Sequence, residues 1–352
     1  MPKSNPGHFF EDFRIGQLLR HATPRTITTG DVVLYTGLTG SRYALYSADT
    51  FAAAMGLPAA PVDPVLVFHM VFGKTVPDIS LNAVANLGYA DGRFLAPVMP
   101  GDTLTATSEV IGLKENSNGR TGVVTVRTTG TNQRGEAVLS YVRWVMVNKK
   151  DPASPAPEPV SPVLPSSVAP ADLVPPPPLA PGSVDPVLSG SPYAYEDYQP
   201  GERIDHVDGM TVQEAEHQIA TRLYQNTARV HFDALAQASS RHGRRLIYGG
   251  VVISLARAMA FNGLGNAAQV LAINGGRHVN PLFAGSTVYA WSEVLDRAEL
   301  GGGWGALRLR HVATKDKPGH SFPGADAGGE PDPAVILDFD CWAAIPMRAS
   351  LA

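Results

Sequence analysis

Residues 93–104, Arg-Phe-Leu-Ala-Pro-Val-Met-Pro-Gly-Asp-Thr-Leu, are matched by residues 277–288, Arg-His-Val-Asn-Pro-Leu-Phe-Ala-Gly-Ser-Thr-Val, at an offset of 184 positions. The arginine, the proline, the glycine and the threonine recur in register. Earlier in each half, Phe-Glu-Asp-Phe-Arg-Ile-Gly-Gln at 10–17 is matched by Tyr-Glu-Asp-Tyr-Gln-Pro-Gly-Glu at 195–202. The chain is therefore one module written twice, and residue types at matched positions can be compared.

The composition excludes several classes of protein. The chain has 352 residues, a net charge of −4 and 17% charged residues, whereas proteins that bind nucleic acids or membrane surfaces usually carry a basic excess. The one cysteine, Cys341, excludes an internal disulfide and a zinc-finger spacing. We find no apolar run of membrane-spanning length and no apolar signal region at the start. These features predict a cytoplasmic protein without a nucleic-acid or membrane partner.

The prolines divide the chain into three parts. Residues 151–192 hold 14 of the 30 prolines, including four in a row at 175–178. We predict two modules, at 1–150 and 193–352, joined by this segment as an extended strap. The strap is expected to run extended because proline cannot sustain a ladder of backbone hydrogen bonds. Because it carries no predicted site residue, we expect it to tolerate internal shortening while the two halves can still pair.

Each module begins with helical candidates and ends with strands. The predicted helices cover 31–56 and 64–76 in the first module, and 211–239 and 249–263 in the second. The predicted strands cover 123–129, 137–147, 307–312 and 335–342, with a Gly/Pro/Asp-rich loop at 315–333. The pattern indicates an α+β fold in which a long helix packs against a curled antiparallel sheet, twice.

The motif at 93–104, placed after a helix pair, resembles the MaoC-type hydratases of the hotdog fold. Their signature is Thr-Gly-Asp-x-Asn-Pro-Ile-His, followed by a His-Gly-Met segment that opens a helix. The second module reads Tyr-Gln-Asn-Thr-Ala-Arg-Val-His at 224–231, with His231 at the histidine position, Asn226 where the family has aspartate, and Gly249 on the later glycine. The first module has Tyr46 and Pro64 at the matched positions. The resemblance implies a double hotdog with one functional half.

The degenerate first module, the strap and the 224–231 segment together resemble the mesaconyl-CoA hydratases, which interconvert mesaconyl-CoA (2-methylfumaryl-CoA) and β-methylmalyl-CoA. That resemblance implies a hydro-lyase that acts on an acyl-CoA thioester without a further cofactor. It also implies a homo-oligomer, with a dimer favoured. A broad (R)-specific enoyl-CoA hydratase, a hotdog acyl-CoA thioesterase and a non-catalytic acyl-CoA-binding protein remain alternatives.

Hydration of an unsaturated thioester needs a proton-transfer group and hydrogen-bond donors for the enolate oxygen. We predict that His231 is the single acid/base and that Asn226 orients the water. The backbone N–H groups of Gly249 and Gly250, at the start of a helix, are predicted to hold the thioester oxygen. Either glycine can equally exist for close helix packing.

A free carboxylate on the substrate needs a cation, preferably the fork of an arginine. We name Arg229 first, two residues before His231, and Arg42 second. Arg244 and Arg245 belong to a basic cluster that is predicted to meet the phosphates of CoA, although such a cluster is equally compatible with a solvated face. Arg93 and Arg277 recur at one matched position, which favours a structural role.

Overall fold

A single antiparallel sheet of ten strands forms the body of the computed structural model, which describes residues 3–325 and 328–352. The strand order is β1-β3-β4-β5-β2-β7-β10-β9-β8-β6, so the second half repeats the order of the first in reverse. The halves meet where β2 pairs with β7. The strands are β1 (Leu18–Thr26), β2 (Ala83–Phe94), β3 (Thr103–Glu115), β4 (Thr121–Thr131), β5 (Ala137–Asn148), β6 (Arg203–Thr211), β7 (Gln269–His278), β8 (Thr287–Gly301), β9 (Trp304–Lys315) and β10 (Val335–Pro346).

Two central helices pack against this sheet, one from each half. In α4, every residue from Val65 to Thr75 is buried, and the carboxylate of Asp63 caps its start by accepting from the N–H of Val65 at 2.7 Å. In α9, all residues after Gly249 are buried. The predicted α+β architecture is confirmed. The helices are α1 (Thr29–Thr39), α2 (Ala44–Ser47), α3 (Asp49–Ala54), α4 (Pro64–Thr75), α5 (Pro186–Ser189), α6 (Glu214–Leu223), α7 (Arg229–Phe232), α8 (Ala234–Ala238), α9 (Gly249–Met259) and α10 (Phe261–Leu264).

The helical candidates at 31–56 and 211–239 are not continuous, so those two predictions were too long. Each is broken into three short helices. Gly40 ends α1 with a φ of 66°, and Gln225, at the matched position, follows α6 with a φ of 56°. A left-handed residue turns the chain out of a right-handed helix. The same turn in both copies therefore separates the first helix from the residues that follow it.

The four predicted strands lie inside β4, β5, β9 and β10, and the glycines at 301–303 form the turn between β8 and β9. The predicted loop at 315–333 runs between β9 and β10, with residues 326–327 outside the described part. The two strands that join the halves, β2 and β7, were not predicted from the sequence.

The strap is extended, but it is packed on the fold and is not a loose spacer. Val168, Leu173, Leu179 and Val184 are buried in a cluster with two tryptophans of the second half. The indole N–H of Trp342 donates to the carbonyl of Val168 at 3.0 Å, and a second indole donates to Pro177 at 2.9 Å. This packing argues against internal shortening of the central part of the strap, where buried apolar residues would be lost.

The packing of the strap leads to a prediction about the stability of the fold. Val168 is 1% exposed, whereas Val163 is fully exposed. We expect Val168→Ala to lower the free energy of unfolding by about 2 kcal/mol, because it removes buried methyl groups and leaves a cavity. Val163→Ala is the matched control and should change the free energy of unfolding little. Chemical denaturation of both variants checks this, and equal stabilities would show that the strap does not contribute to the core.

Candidate active site

A cavity of about 490 Å³ lies between the two halves. The second half contributes Asn226, His231 and Gly249, and the first half contributes Tyr89 and Arg143 among other residues. The structure thus brings the predicted acid/base, the predicted orienting amide and one predicted glycine to a single pocket. Each half supplies one wall, so neither module alone encloses the site.

Asn226 is held at the cavity wall by the turn after α6. The carbonyl of Tyr224 approaches α4 so closely that a methyl group on Gly73 would lie 1.7 Å from it. Gln225 has a left-handed backbone conformation, and the side chain that follows it, Asn226, is only 1% exposed. The side-chain oxygen of Asn226 accepts from the N–H of Ala228 at 3.1 Å. Because a backbone N–H can only donate, this bond leaves the amide NH₂ as a donor for a ligand.

His231 is fixed in the tautomer that a base requires. It lies on α7, next to Val230, whose carbonyl accepts from the N–H of Leu246 at 3.0 Å. The Nδ1 atom of His231 is 3.0 Å from the carbonyl oxygen of Leu246. A carbonyl can only accept, so Nδ1 carries the proton and Nε2 keeps its lone pair. Burial lowers the pKa of His231 from 6.5 to about 4, which keeps the imidazole neutral at neutral pH.

A second histidine, His278, lines the same cavity and was not predicted as a site residue. It ends β7, and its Nε2 is 3.3 Å from the hydroxyl of Tyr89. Burial, and to a smaller extent the proximity of His231, lower its pKa from 6.5 to about 4. The sequence does carry one signal for it. Position 278 is a histidine in the second module, whereas the matched position in the first module is the apolar Phe94.

The start of α9 places one of the two predicted glycines at the cavity. Gly249 is the first helical residue, so its N–H has no acceptor within the helix, and it lines the cavity. A methyl group on Gly249 would lie 2.3 Å from the ring of His278, and one on Gly250 would lie 2.6 Å from that of His69. Gly250 is buried and does not line the cavity, so close packing accounts for this glycine.

The four predicted arginines lie in different places. Arg229 lines the cavity at its rim, is exposed and forms no ion pair within 3–325 and 328–352. Arg42 does not line the cavity. Its guanidinium pairs with Asp208 at 3.1 Å and lies over the Phe261 ring.

The other two predicted arginines, Arg244 and Arg245, are also outside the lining. Arg244 stacks on Phe283 with its guanidinium carbon 3.9 Å from the ring centroid, and Arg245 pairs with Glu214. Among the described residues that line the cavity, no side chain is acidic, while two are arginines. The lining therefore suits an anionic ligand.

A second cavity, of about 400 Å³, occupies the matched place in the other half. Its lining includes Tyr46 and Pro64, which match His231 and Gly249. Residues 175–178 of the strap, all proline, form part of its wall. This cavity therefore lacks both the imidazole and the helix-opening glycine.

Comparison with known proteins assigns the chain to a family. The family model described as mesaconyl-CoA hydratase matches residues 3–161. The chain is 60% identical over 348 residues to a β-methylmalyl-CoA dehydratase of Chloroflexus aurantiacus, covering 98% of this chain and 99% of that protein. It is 61% identical to a mesaconyl-CoA hydratase of Cereibacter sphaeroides, with the same coverage. The chain belongs to the mesaconyl-CoA hydratase family.

Solved structures agree with this family and with the fold. A MaoC domain protein dehydratase of Chloroflexus aurantiacus superposes with a TM-score of 0.97 at 60% identity, covering 99% of this chain and all of that one. A Mycobacterium tuberculosis protein with a double hotdog fold superposes with a TM-score of 0.71 at 26% identity, covering 96% and 98%. The mesaconyl-CoA hydratase family member described here is therefore a double hotdog, as predicted.

The close approach of His278 to Gly249 leads to a prediction about activity. We expect Gly249→Ala to lower hydratase activity by about 10- to 100-fold, because its methyl group displaces the His278 ring and the first N–H of α9. Gly37→Ala, on α1, is the control, since nothing lies within 4 Å of its added methyl group. Steady-state rates of both variants check this. Wild-type activity in Gly249→Ala would remove this helix start from the site.

Proposed function

We propose that this protein reversibly adds water to mesaconyl-CoA to give β-methylmalyl-CoA. The observation that carries the proposal is the neutral imidazole of His231, with Nε2 free, in a cavity of a chain that matches relatives of those names over nearly its whole length. The absence of acidic side chains from the described cavity lining also suits a substrate that carries a carboxylate.

His231 can move the proton in both halves of the reaction. Its Nε2 takes a proton from water, and the water oxygen bonds to the carbon β to the thioester. The electron pair of the double bond moves toward the thioester oxygen. The imidazolium then returns the proton to the α-carbon. Asn226, whose NH₂ is left to donate, holds the water in this proposal.

The enolate oxygen that forms between these steps needs donors. The N–H of Gly249 opens α9, where the unpaired amide and the positive end of the helix dipole favour developing negative charge. His278, packed over Gly249, fixes one side of this position. We assign it a positioning role.

Two rival enzymes and a binding protein can be separated from this function by assay. A thioesterase would release free thiol, whereas a hydratase removes the enoyl absorbance without releasing thiol. A broad enoyl-CoA hydratase would accept crotonyl-CoA, which lacks the second carboxylate, as well as mesaconyl-CoA. A non-catalytic protein would bind both esters without turnover.

Several finer expectations remain part of the proposal. The exposed Arg229 at the rim suits a CoA phosphate, as an unpaired cation at an entrance does. The family resemblance supports a homodimer, a cytoplasmic location and catalysis without an added cofactor. Within the described residues, no helix combines the length and apolar character that crossing a membrane requires.

The proposed role of His231 predicts a large and asymmetric mutational effect. We expect His231→Ala to lower kcat by about two to four orders of magnitude, the usual contribution of a general acid/base. Tyr46→Phe, at the matched position of the other half, removes only a hydroxyl that donates to Ala268 and should have little effect. Steady-state kinetics with mesaconyl-CoA measure both variants. Similar losses would contradict a single functional half.

The lowered pKa of His231 predicts the acid limb of the pH profile. The base works when neutral, so activity is present above its pKa and is lost as the pH falls through it. Because burial places that pKa at about 4, we expect kcat/KM for hydration to stay level between pH 7 and about 5. It should then fall below that range. An acid limb near the ordinary histidine value of 6.5 would contradict a pKa of His231 lowered by desolvation.

A further inference from the structure

Arg143, on β5 of the first half, is a buried cation that has no acidic partner among the described residues. Its side chain is 0% exposed and lines the active-site cavity. Nη2 donates to the hydroxyl of Thr75 at 2.7 Å, but Nε and Nη1 have no hydrogen-bond partner among the described residues. The guanidinium lies over the ring of Phe72 at 4.3 Å. A buried arginine normally pairs with a carboxylate, because its desolvation is otherwise uncompensated.

Two further residues of the cavity lining have buried polar groups without a hydrogen-bond partner among the described residues. Tyr248, which lines the cavity, has a buried hydroxyl with no partner in the described chain. The amide of Asn86, which also lines the cavity, is buried and unpartnered in the same sense. A carboxylate could accept from several of these groups at once.

This cluster lies next to the proposed catalytic groups. Tyr89, the cross-strand neighbour of Arg143, reaches the Nε2 of His278 with its hydroxyl at 3.3 Å. The ring of Tyr248 is 5.4 Å from that of His231, measured between centroids. In mesaconyl-CoA the free carboxylate is attached directly to the carbon that receives the hydroxyl group. A cation that binds it must therefore lie within a few ångströms of the acid/base.

The duplicated module shows that these polar groups are confined to one copy. Arg143 pairs with Tyr89 between β5 and β2, and the matched pair in the second half is Cys341 with Ile273 between β10 and β7. The first half thus has an arginine and a tyrosine where the second has two apolar residues. Packing of the module does not require the polar pair, since its other copy folds without it.

We propose that Arg143, assisted by the hydroxyl of Tyr248, binds the free carboxylate of the acyl group and selects dicarboxylate thioesters. This inference deepens the proposed function and rests on it. It replaces Arg229 and Arg42 in that role, because Arg229 is at the exposed rim and Arg42 pairs with Asp208 outside the cavity.

The test compares two CoA esters of equal chain length. Succinyl-CoA carries the carboxylate and butyryl-CoA does not, and calorimetry with the full-length protein gives the ratio of their affinities. We expect the wild type to prefer succinyl-CoA and Arg143→Met to lower that ratio on the order of 100-fold, as breaking a buried charge pair does. Tyr248→Phe should lower it about 10-fold. Tyr35→Phe is the control, because its buried hydroxyl donates to Ser254 outside the cavity lining.

Each outcome decides the proposal. An unchanged ratio in Arg143→Met overturns it, as does loss of the preference in Arg229→Met with retention in Arg143→Met. If Arg143→Met does not fold, Arg143→Lys and Tyr248→Phe decide instead, and wild-type ratios in both overturn it. The proposed function is tested separately by turnover of mesaconyl-CoA in the wild type. Failure there, with the binding preference intact, would reject the reaction and retain the carboxylate site.

Discussion

The pairing of β2 with β7 is the constraint on which the site depends. Small residues allow the two halves of the sheet to approach closely: methyl groups on Gly92 and Gly276 would lie 2.8 Å from Ile273 and 2.9 Å from Tyr89, respectively. Because the two halves are continuous at this seam, Tyr89 of the first half reaches His278 of the second. Side chains that transfer protons and side chains that contact the acyl group can therefore come from different copies.

Duplication left two matched cavities that have since diverged. The cavity proposed as the active site has an imidazole and a helix that opens with glycine, while the other has Tyr46 and Pro64 and is walled in part by the prolines of the strap. Burial of the strap supports this division, since its apolar residues join the core beside the second cavity. The segment that reads as a linker in sequence thus helps to occupy the half that has lost the motif.

Much of the site could be predicted because its residues are local in sequence and fixed in register. His231, Asn226 and Gly249 meet in one cavity, as the resemblance implied. The helices were predicted too long, because the left-handed Gln225 is set by packing on α4 and not by its own residue type. Arg143 was not predicted, since its place in the cavity lining depends on the seam between the two halves of the sheet, and a period-two strand pattern does not show which cavity a face meets.

Electrostatics gives a reason for the amide at position 226. A carboxylate there, as in the wider MaoC-type family, would lie in the same buried cavity as the carboxylate of a dicarboxylate substrate. Like charges in a site of low polarity repel strongly, and one of them would have to take up a proton. An asparagine keeps the backbone contact to Ala228 and an amide donor without adding charge. In the proposed site, neutral histidines, a neutral amide and a buried arginine leave the substrate carboxylate as the anion that balances the arginine.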